Sequence, residues 1–423
     1  MTRFTFLTRA LHSRNYRLFF FGQGISFVGT WIQQIALQWF IYRITGSPWM
    51  LGLAGFLSQI PSFLVTPFAG VLIDQKNRKH ILIFTQSLSM LQAVIISILY
   101  YHGSLSIHAI LILALFQGII AAIDQPTRQA IVIDMVDKKE DLGNAIALNS
   151  SMIHSARLIG PSIAGILIAT AGEGVCFLIN VLSFIPMFFT LAAMTTTQKI
   201  STVKSDPVLL RLKEGMKYVY HHSSIKYFLI LLSLISLTGL PYVILLPVFT
   251  KTIFHAEAQT LGFLVGASGL GSLTGAIYLA SRKKLDHYGR LISIASFIFS
   301  IGIMTFALST TLPLSLISMF LIGFGMMIQF VASNTLMQMM VDNDKRGRVM
   351  SFYTIAFMGM TPLGNLVAGA FAHRYGAPIT LFFGGICCFL SALWFSQKLP
   401  TMKKSIQEHT KIDTLSLTIP NIN

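Results

Sequence analysis

The chain has 423 residues, of which 54% are hydrophobic and only 11% charged, with a formal net charge of +16. That composition excludes an ordinary soluble domain. In a polytopic protein the basic excess is explained by loops facing an anionic membrane leaflet, so nucleic acid is excluded as a partner. No phosphate-cradling GxxxxGK[ST], nucleophile elbow, HExxH or CxxC pattern occurs. Nucleotide partners, metals, cofactors and an enzyme activity are therefore all without support.

The predicted elements are apolar spans. In chain order the charge-free stretches lie between Arg17 and Arg43, Arg43 and Asp74, Lys79 and Asp124, Asp141 and Glu173, Glu173 and Lys199, Lys226 and Lys251, Glu257 and Arg282, Arg290 and Asp342, Arg348 and Arg374, and Arg374 and Lys398. Arg157 alone interrupts the fourth. Polar hinges at Tyr101-His102-Gly103-Ser104 and at Ser309-Thr310-Thr311-Leu312-Pro313 split the two double-length stretches. Twelve spans result, each near the roughly 20 apolar residues a crossing helix requires. The fold class is an all-α polytopic membrane protein. The first span is too long for a signal-peptide core and lacks a small-residue cleavage pattern, so it is read as retained. Cys176, Cys387 and Cys388 all fall in spans and read as packing residues.

Charge fixes the expected orientation. With both termini assigned to the cytoplasm, only Arg43, Lys251 and Arg374 fall outside and Arg157 falls within the membrane, which leaves 27 of the 31 Lys and Arg residues on the cytoplasmic side. The positive-inside rule selects this threading. The spans divide into an N-terminal six-helix half (1–195), a cytoplasmic linker (196–224), a C-terminal six-helix half (225–398) and a cytoplasmic tail (399–423). Within the linker, Leu209, Leu212, Met216 and Val219 recur at helical spacing opposite Arg211, Lys213 and Lys217, the pattern of an interfacial amphipathic helix. Short matches 205 residues apart, such as Met135-Val136-Asp137 with Met340-Val341-Asp342, suggest that the halves are repeats.

Three sets of residues stand out. Arg157 is the one basic residue well inside a span, at an insertion cost of about 2.5–3.5 kcal/mol. It must face a cavity or a partner, and His154 lies one turn away. Two readings stay open: a docking point for an anionic substrate group, or a structural cation held by neighbouring helices. Span one carries Gln23, Ser26, Thr30, Gln34 and Gln38, and span ten carries Gln329, Ser333, Asn334 and Gln338. Such amides either line a polar path or bond between helices. Asp74, Arg78 and Asp124 sit at one depth, the first two in the turn after span two and the third at the cytoplasmic end of span four.

Gly70-Val71-Leu72-Ile73-Asp74-Gln75-Lys76-Asn77-Arg78-Lys79 resembles the G-x-x-x-D-(R)-x-G-R-K loop of the major facilitator superfamily, with Gln75 and Asn77 replacing its Arg and Gly. Arg157 to Gly165, containing Gly160-Pro161, is similar to the fifth-span antiporter pattern of that family. Three longer stretches are similar to its enterobactin-exporter-like branch: Asn15 to Pro48, Asp124-Gln125-Pro126-Thr127-Arg128 to Pro161, and Arg346 to Asn365. The resemblance implies two six-helix halves with spans one, four, seven and ten around a central path. It makes Arg157, His154, Gln34, Gln38, Asn334 and Gln338 cavity residues, and Asp74, Arg78 and Asp124 a cytoplasmic latch rather than ordinary loop ion pairs. It makes Gly160 and Pro161 an antiport-linked helix kink, against a plain packing kink. It further implies a bacterial inner-membrane secondary transporter exporting a small molecule such as a siderophore or drug, with protons as coupling ion. No carboxylate is expected near mid-membrane, and His154 beside Arg157 is disfavoured as a cation, so proton coupling rests on the resemblance alone. The alternatives are a lysophospholipid facilitator and a non-transporting sensor of transporter ancestry.

Overall fold

The computed structural model describes residues 9–195, 216–282, 288–341 and 345–418. Among them every regular element is helical. After a short 3-10 turn at Arg9–His12 come α1 (Arg14–Thr45), α2 (Pro48–Gln75), α3 (Arg78–Tyr101), α4 (Ile107–Met135), α5 (Leu142–Ala171) and α6 (Glu173–Ala193). Then follow α7 (Ser223–Thr238), α8 (Tyr242–Thr252), α9 (Ala258–Ala280), α10 (Tyr288–Leu308), α11 (Leu312–Met340), α12 (Arg346–Thr354), a π turn at Ile355–Gly359, α13 (Met360–Tyr375) and α14 (Ala377–Thr418). Among the described residues eleven spans are long and apolar enough to cross a membrane, with α7–α8 forming one and α12–α13 another. α1 is long enough at 32 residues, but its glutamines keep it out of that set. Most of the expected amphipathic linker helix lies outside the described residues. Residues 216–221 are helical, and α14 continues past Pro400 without a break.

Local chemistry sets the helix ends. Asn77 caps α3, its Oδ1 accepting from the Lys79 and His80 amides at 2.9 and 3.4 Å. A cap of this kind is worth about 1 kcal/mol. It gives a positive role to the Asn that stands where the family loop has Gly. Gly46 ends α1 in the left-handed region at φ 59°, where a side chain would be strained.

The chain forms two compact units. The first comprises Met1–Ser205, Val243–Gly269 and Asn365–Ala377; the second comprises Asp206–Tyr242, Leu270–Gly364 and Pro378–Asn423. In the first, α1 packs on α5 and α6, α2 on α4, and α3 on α4 and α6. Two close crossings tie α1–α6 to the other segments of this unit. A Cβ on Gly165 of α5 would stand 2.8 Å from the Ala258 carbonyl and 2.9 Å from Gly262 Cα on α9. One on Gly52 of α2 would stand 2.6 Å from the Asn365 carbonyl and 2.8 Å from Gly369 Cα on α13. Glycine lets each backbone pair touch, the small-residue contact by which membrane helices approach. Lys251 closes the same end, its Nζ 5.1 Å from the Trp39 ring centroid and 3.5 Å from Glu257.

In the second unit α10 packs along α11, with Thr305 and Ser318 hydroxyls 3.0 Å apart. Tyr353 donates to the Phe330 carbonyl at 3.0 Å, and Phe330 and Phe357 rings meet at 4.7 Å. All three cysteines are free thiols.

Candidate functional site

Arg157 lies half-buried on α5. Its guanidinium stacks over the Trp31 ring of α1, 5.8 Å from the centroid. Gly160, one turn on, brings the helices close enough for this, since a Cβ there would sit 2.5 Å from Trp31 Cβ. Among the described residues Arg157 makes no hydrogen bond or ion pair. A cation–π contact returns about 0.5–2 kcal/mol, less than the insertion cost of the charge. The planar donors of Arg157 are therefore unspent. Trp31, Gln34 and Gln38 follow one another at i, i+3 and i+7 along one face of α1. Gln34 is exposed, and the buried Oε1 of Gln38 has no partner. His154 occupies the turn before Arg157, but its side chain lies outside the described atoms. Pro161 lies inside α5, which is helical without interruption from Leu142 to Ala171.

The other expected polar stripe belongs to the second unit. On α11 the Gln338 amide donates to Asn334 Oδ1, while Gln329 and Ser333 are buried with no partner for their side-chain polar atoms.

On α1 the five-residue stripe divides. Gln23 and Ser26 are buried without partners, and the Thr30 hydroxyl bonds to the Ser26 carbonyl at 2.8 Å. The bonding between helices falls instead to Gln33, a residue the sequence reading passed over. Its Nε2 donates to Gln92 of α3 at 3.2 Å, and its Oε1 accepts from Asn180 of α6 at 2.9 Å. The available signal was the doublet itself. Adjacent residues on a helix point about 100° apart, so Gln33 and Gln34 face different surroundings.

At the basic end of the first unit, Arg78 donates to both carboxylate oxygens of Asp134 at 3.1 and 2.9 Å and to the Ala130 carbonyl at 3.3 Å. Asp134 is a second residue that the sequence reading missed. Asp124 is held elsewhere, by Arg128 on its own helix and by Thr85 and Gln86 of α3. Expected at the end of span four, it lies eleven residues before the end of α4, about 16 Å at the helical rise. Its ten-residue separation from Asp134 explains why the two carboxylates serve different cations. Asp74 is the last residue but one of α2, and its side chain lies outside the described atoms. At the opposite end Arg43 binds both oxygens of Glu173, at 2.7 and 3.3 Å, and Tyr100 donates to the same carboxylate at 2.9 Å.

A membrane bundle with unspent polar groups inside it is the frame of a transporter, and comparison with known proteins identifies which. Residues 8–419 match MFS_3, the transmembrane secretion effectors of the major facilitator superfamily. The chain belongs to this family. Among fellow members of the superfamily, the staphyloferrin A transporter of Staphylococcus aureus is 27% identical over 93% of this chain and 99% of its own. Macrolide efflux protein A of Streptococcus pyogenes is 23% identical over 86% and 91%. The enterobactin exporter of Shigella flexneri is 24% identical over 86% of each chain. A bacterial homologue of the iron transporter ferroportin, solved in an inward-facing state, superposes with a TM-score of 0.71 at 17% identity, covering 91% of this chain and 98% of that one. This effector is thus a multi-span membrane transporter of the major facilitator fold, in a family of transporters rather than enzymes.

Proposed function

We propose that this transporter exports an anionic siderophore from a bacterial cytoplasm across the inner membrane. It works by alternating access and is coupled to protons, and both its termini are cytoplasmic. The observation that carries the anionic substrate is Arg157, a guanidinium on a spanning helix that rests on Trp31 with no acceptor among the described residues. A carboxylate or catecholate satisfies such a fork with two parallel bonds. His154, Gln34 and Gln38 share this substrate-facing role in the first unit, and Asn334 and Gln338 are given the same role in the second. Two relatives named for siderophore transport support the substrate class. The charge asymmetry of the loops supports the orientation. The cytoplasmic latch in this reading is Asp74 and Arg78 with Asp134 as the α4 member, and Gly160-Pro161 fits α5 against α1. Efflux of neutral drugs is the second reading, favoured by the macrolide relative.

The test is transport from proteoliposomes loaded with staphyloferrin A, with enterobactin, or with a neutral macrolide. The proposal expects the two siderophores to leave faster than from protein-free vesicles and to compete with one another. Macrolide efflux without siderophore efflux would overturn it in favour of the second reading.

A further inference from the structure

α4 carries a charge pair deep in the bundle. The helix has 29 residues, about 43 Å in length, and Asp124 is three residues from its midpoint. A hydrocarbon layer about 30 Å thick centred on this helix would enclose the carboxylate. Asp124 is 7% exposed. It accepts from Thr85 Oγ1 at 2.7 Å, from Gln86 Nε2 at 2.8 Å and from Arg128 Nε. Arg128 lies over the Phe27 ring of α1, 5.0 Å from its centroid.

Around this pair, polar atoms remain unspent. Arg128 Nη1 and Gln86 Oε1 are buried without partners among the described residues. So are both amide atoms of Gln23, 1% exposed and one turn from Phe27 on the same face of α1. An ion pair kept only for structure would have its neighbours saturated, because each unsatisfied buried group is costly. A pair that must exist in two arrangements needs spare partners for the second. In such a second arrangement Gln86 Oε1 would accept from a protonated Asp124, and Gln23 Oε1 from a released Arg128.

We propose that Asp124 is the residue that binds the transported proton, with Arg128 as the internal cation that replaces it. The proposal rests on the proton-coupled reading above. In the step, one proton enters from outside and forms an O–H bond on a carboxylate oxygen, and the Asp124–Arg128 pair separates. When the pair re-forms the proton leaves to the cytoplasm, so charge and protons balance over the cycle. The surroundings hold few competitors. α3 presents the uncharged Thr85 and Gln86, and α1 presents Gln23 and Phe27. α2 approaches through Thr66, bonded to the Ala122 carbonyl at 3.3 Å, and carries Asp74 at its end. α5 carries His154 and the Trp31-stacked Arg157. On α4 itself the next acid, Asp134, is paired with Arg78.

The experiment uses the full chain in lipid nanodiscs and infrared difference spectroscopy from about pH 8 to about pH 5. Wild type is expected to gain the carbonyl band of a buried carboxylic acid on acidification, and Asp124→Asn to lack it. Because Asp124→Asn alone leaves a buried guanidinium unpaired, Asp124→Asn/Arg128→Gln, which removes both charges, is measured alongside. In proteoliposomes the double variant is expected to lose staphyloferrin A transport driven by an imposed pH gradient by at least about tenfold, while keeping downhill exchange. A band absent from wild type, or surviving in either variant, overturns the assignment. So does a double variant with gradient-driven transport at the wild-type rate, even though that result upholds proton coupling itself. Wild-type siderophore export indifferent to the gradient removes the coupling reading and this assignment with it, and leaves export standing.

Discussion

Replacing Gly165 by alanine tests how the first unit holds α5 against α9. The added methyl would stand 2.8 Å from the Ala258 carbonyl and 2.9 Å from Gly262 Cα, against 3.4–4 Å for ordinary contact. Both obstacles are backbone, so no rotamer change relieves them and the helices must part by roughly 0.5–1 Å. Overpacking of this kind costs about 1–3 kcal/mol. On the alternating-access reading proposed above, that cost falls only on states in which this crossing is closed, so the ratio of open to closed should rise about 5- to 150-fold. Spin labels on cysteines at the exposed positions Thr170 and Glu257, in a background without the three native thiols, report the separation of these helix ends. Gly165→Ala should add a longer-distance population, as should Gly262→Ala, whose methyl would meet the Pro161 carbonyl at 2.8 Å. The two together should exceed either by less than their sum, because they act at one contact. Gly143→Ala, with nothing within 4 Å, is the control. A wild-type distance distribution in Gly165→Ala, or an equal change in the control, would refute the reasoning.

Arg157→Gln should raise the half-saturating concentration of an anionic siderophore or abolish its transport. Arg157→Lys should restore it only in part, because an ammonium lacks the planar fork; normal affinity in a well-folded Arg157→Gln protein excludes docking. Arg78→Gln and Asp134→Asn should each weaken transport and shift cysteine accessibility on the cytoplasmic side in the same direction, with the double variant no worse than either single one. Additive losses would show two independent roles. Reporter fusions at Gly103 and at Arg282 should give opposite-side signals, and same-side signals would refute the threading with both termini cytoplasmic.

The spans were legible because apolar length is written directly in the sequence, and the isolation of Arg157 was legible for the same reason. Depth along a helix was not. The apolar run of span four stops at Asp124, while α4 continues through Gln125, Arg128 and Asp134 to Met135. A polar residue inside a bundle costs nothing in helix continuity, so the end of a hydrophobic run is not the end of a helix. That difference moved Asp124 from the end of a span to the interior of a helix and left Asp134 unread as the partner of Arg78. The division of labour between Gln33 and Gln34 was hidden differently: composition marks both as costly in lipid, and only the positions of Gln92 and Asn180 decide which is satisfied by protein.

The polarity of α1 also bears on how the chain enters the bilayer during synthesis. This helix is made before α2 to α14, with amides along its length and an arginine near each end, and among the described residues it falls short of the apolar content of the other spans. The link to α2 is Gly46-Ser47, with Pro48 opening the next helix. So short a connection lets the two helices partition together as a hairpin, the second lending the hydrophobicity that the first lacks. Gln33 meets its partners only after α3 and α6 have been made. A span made before its partners therefore waits for them to have its polar groups satisfied.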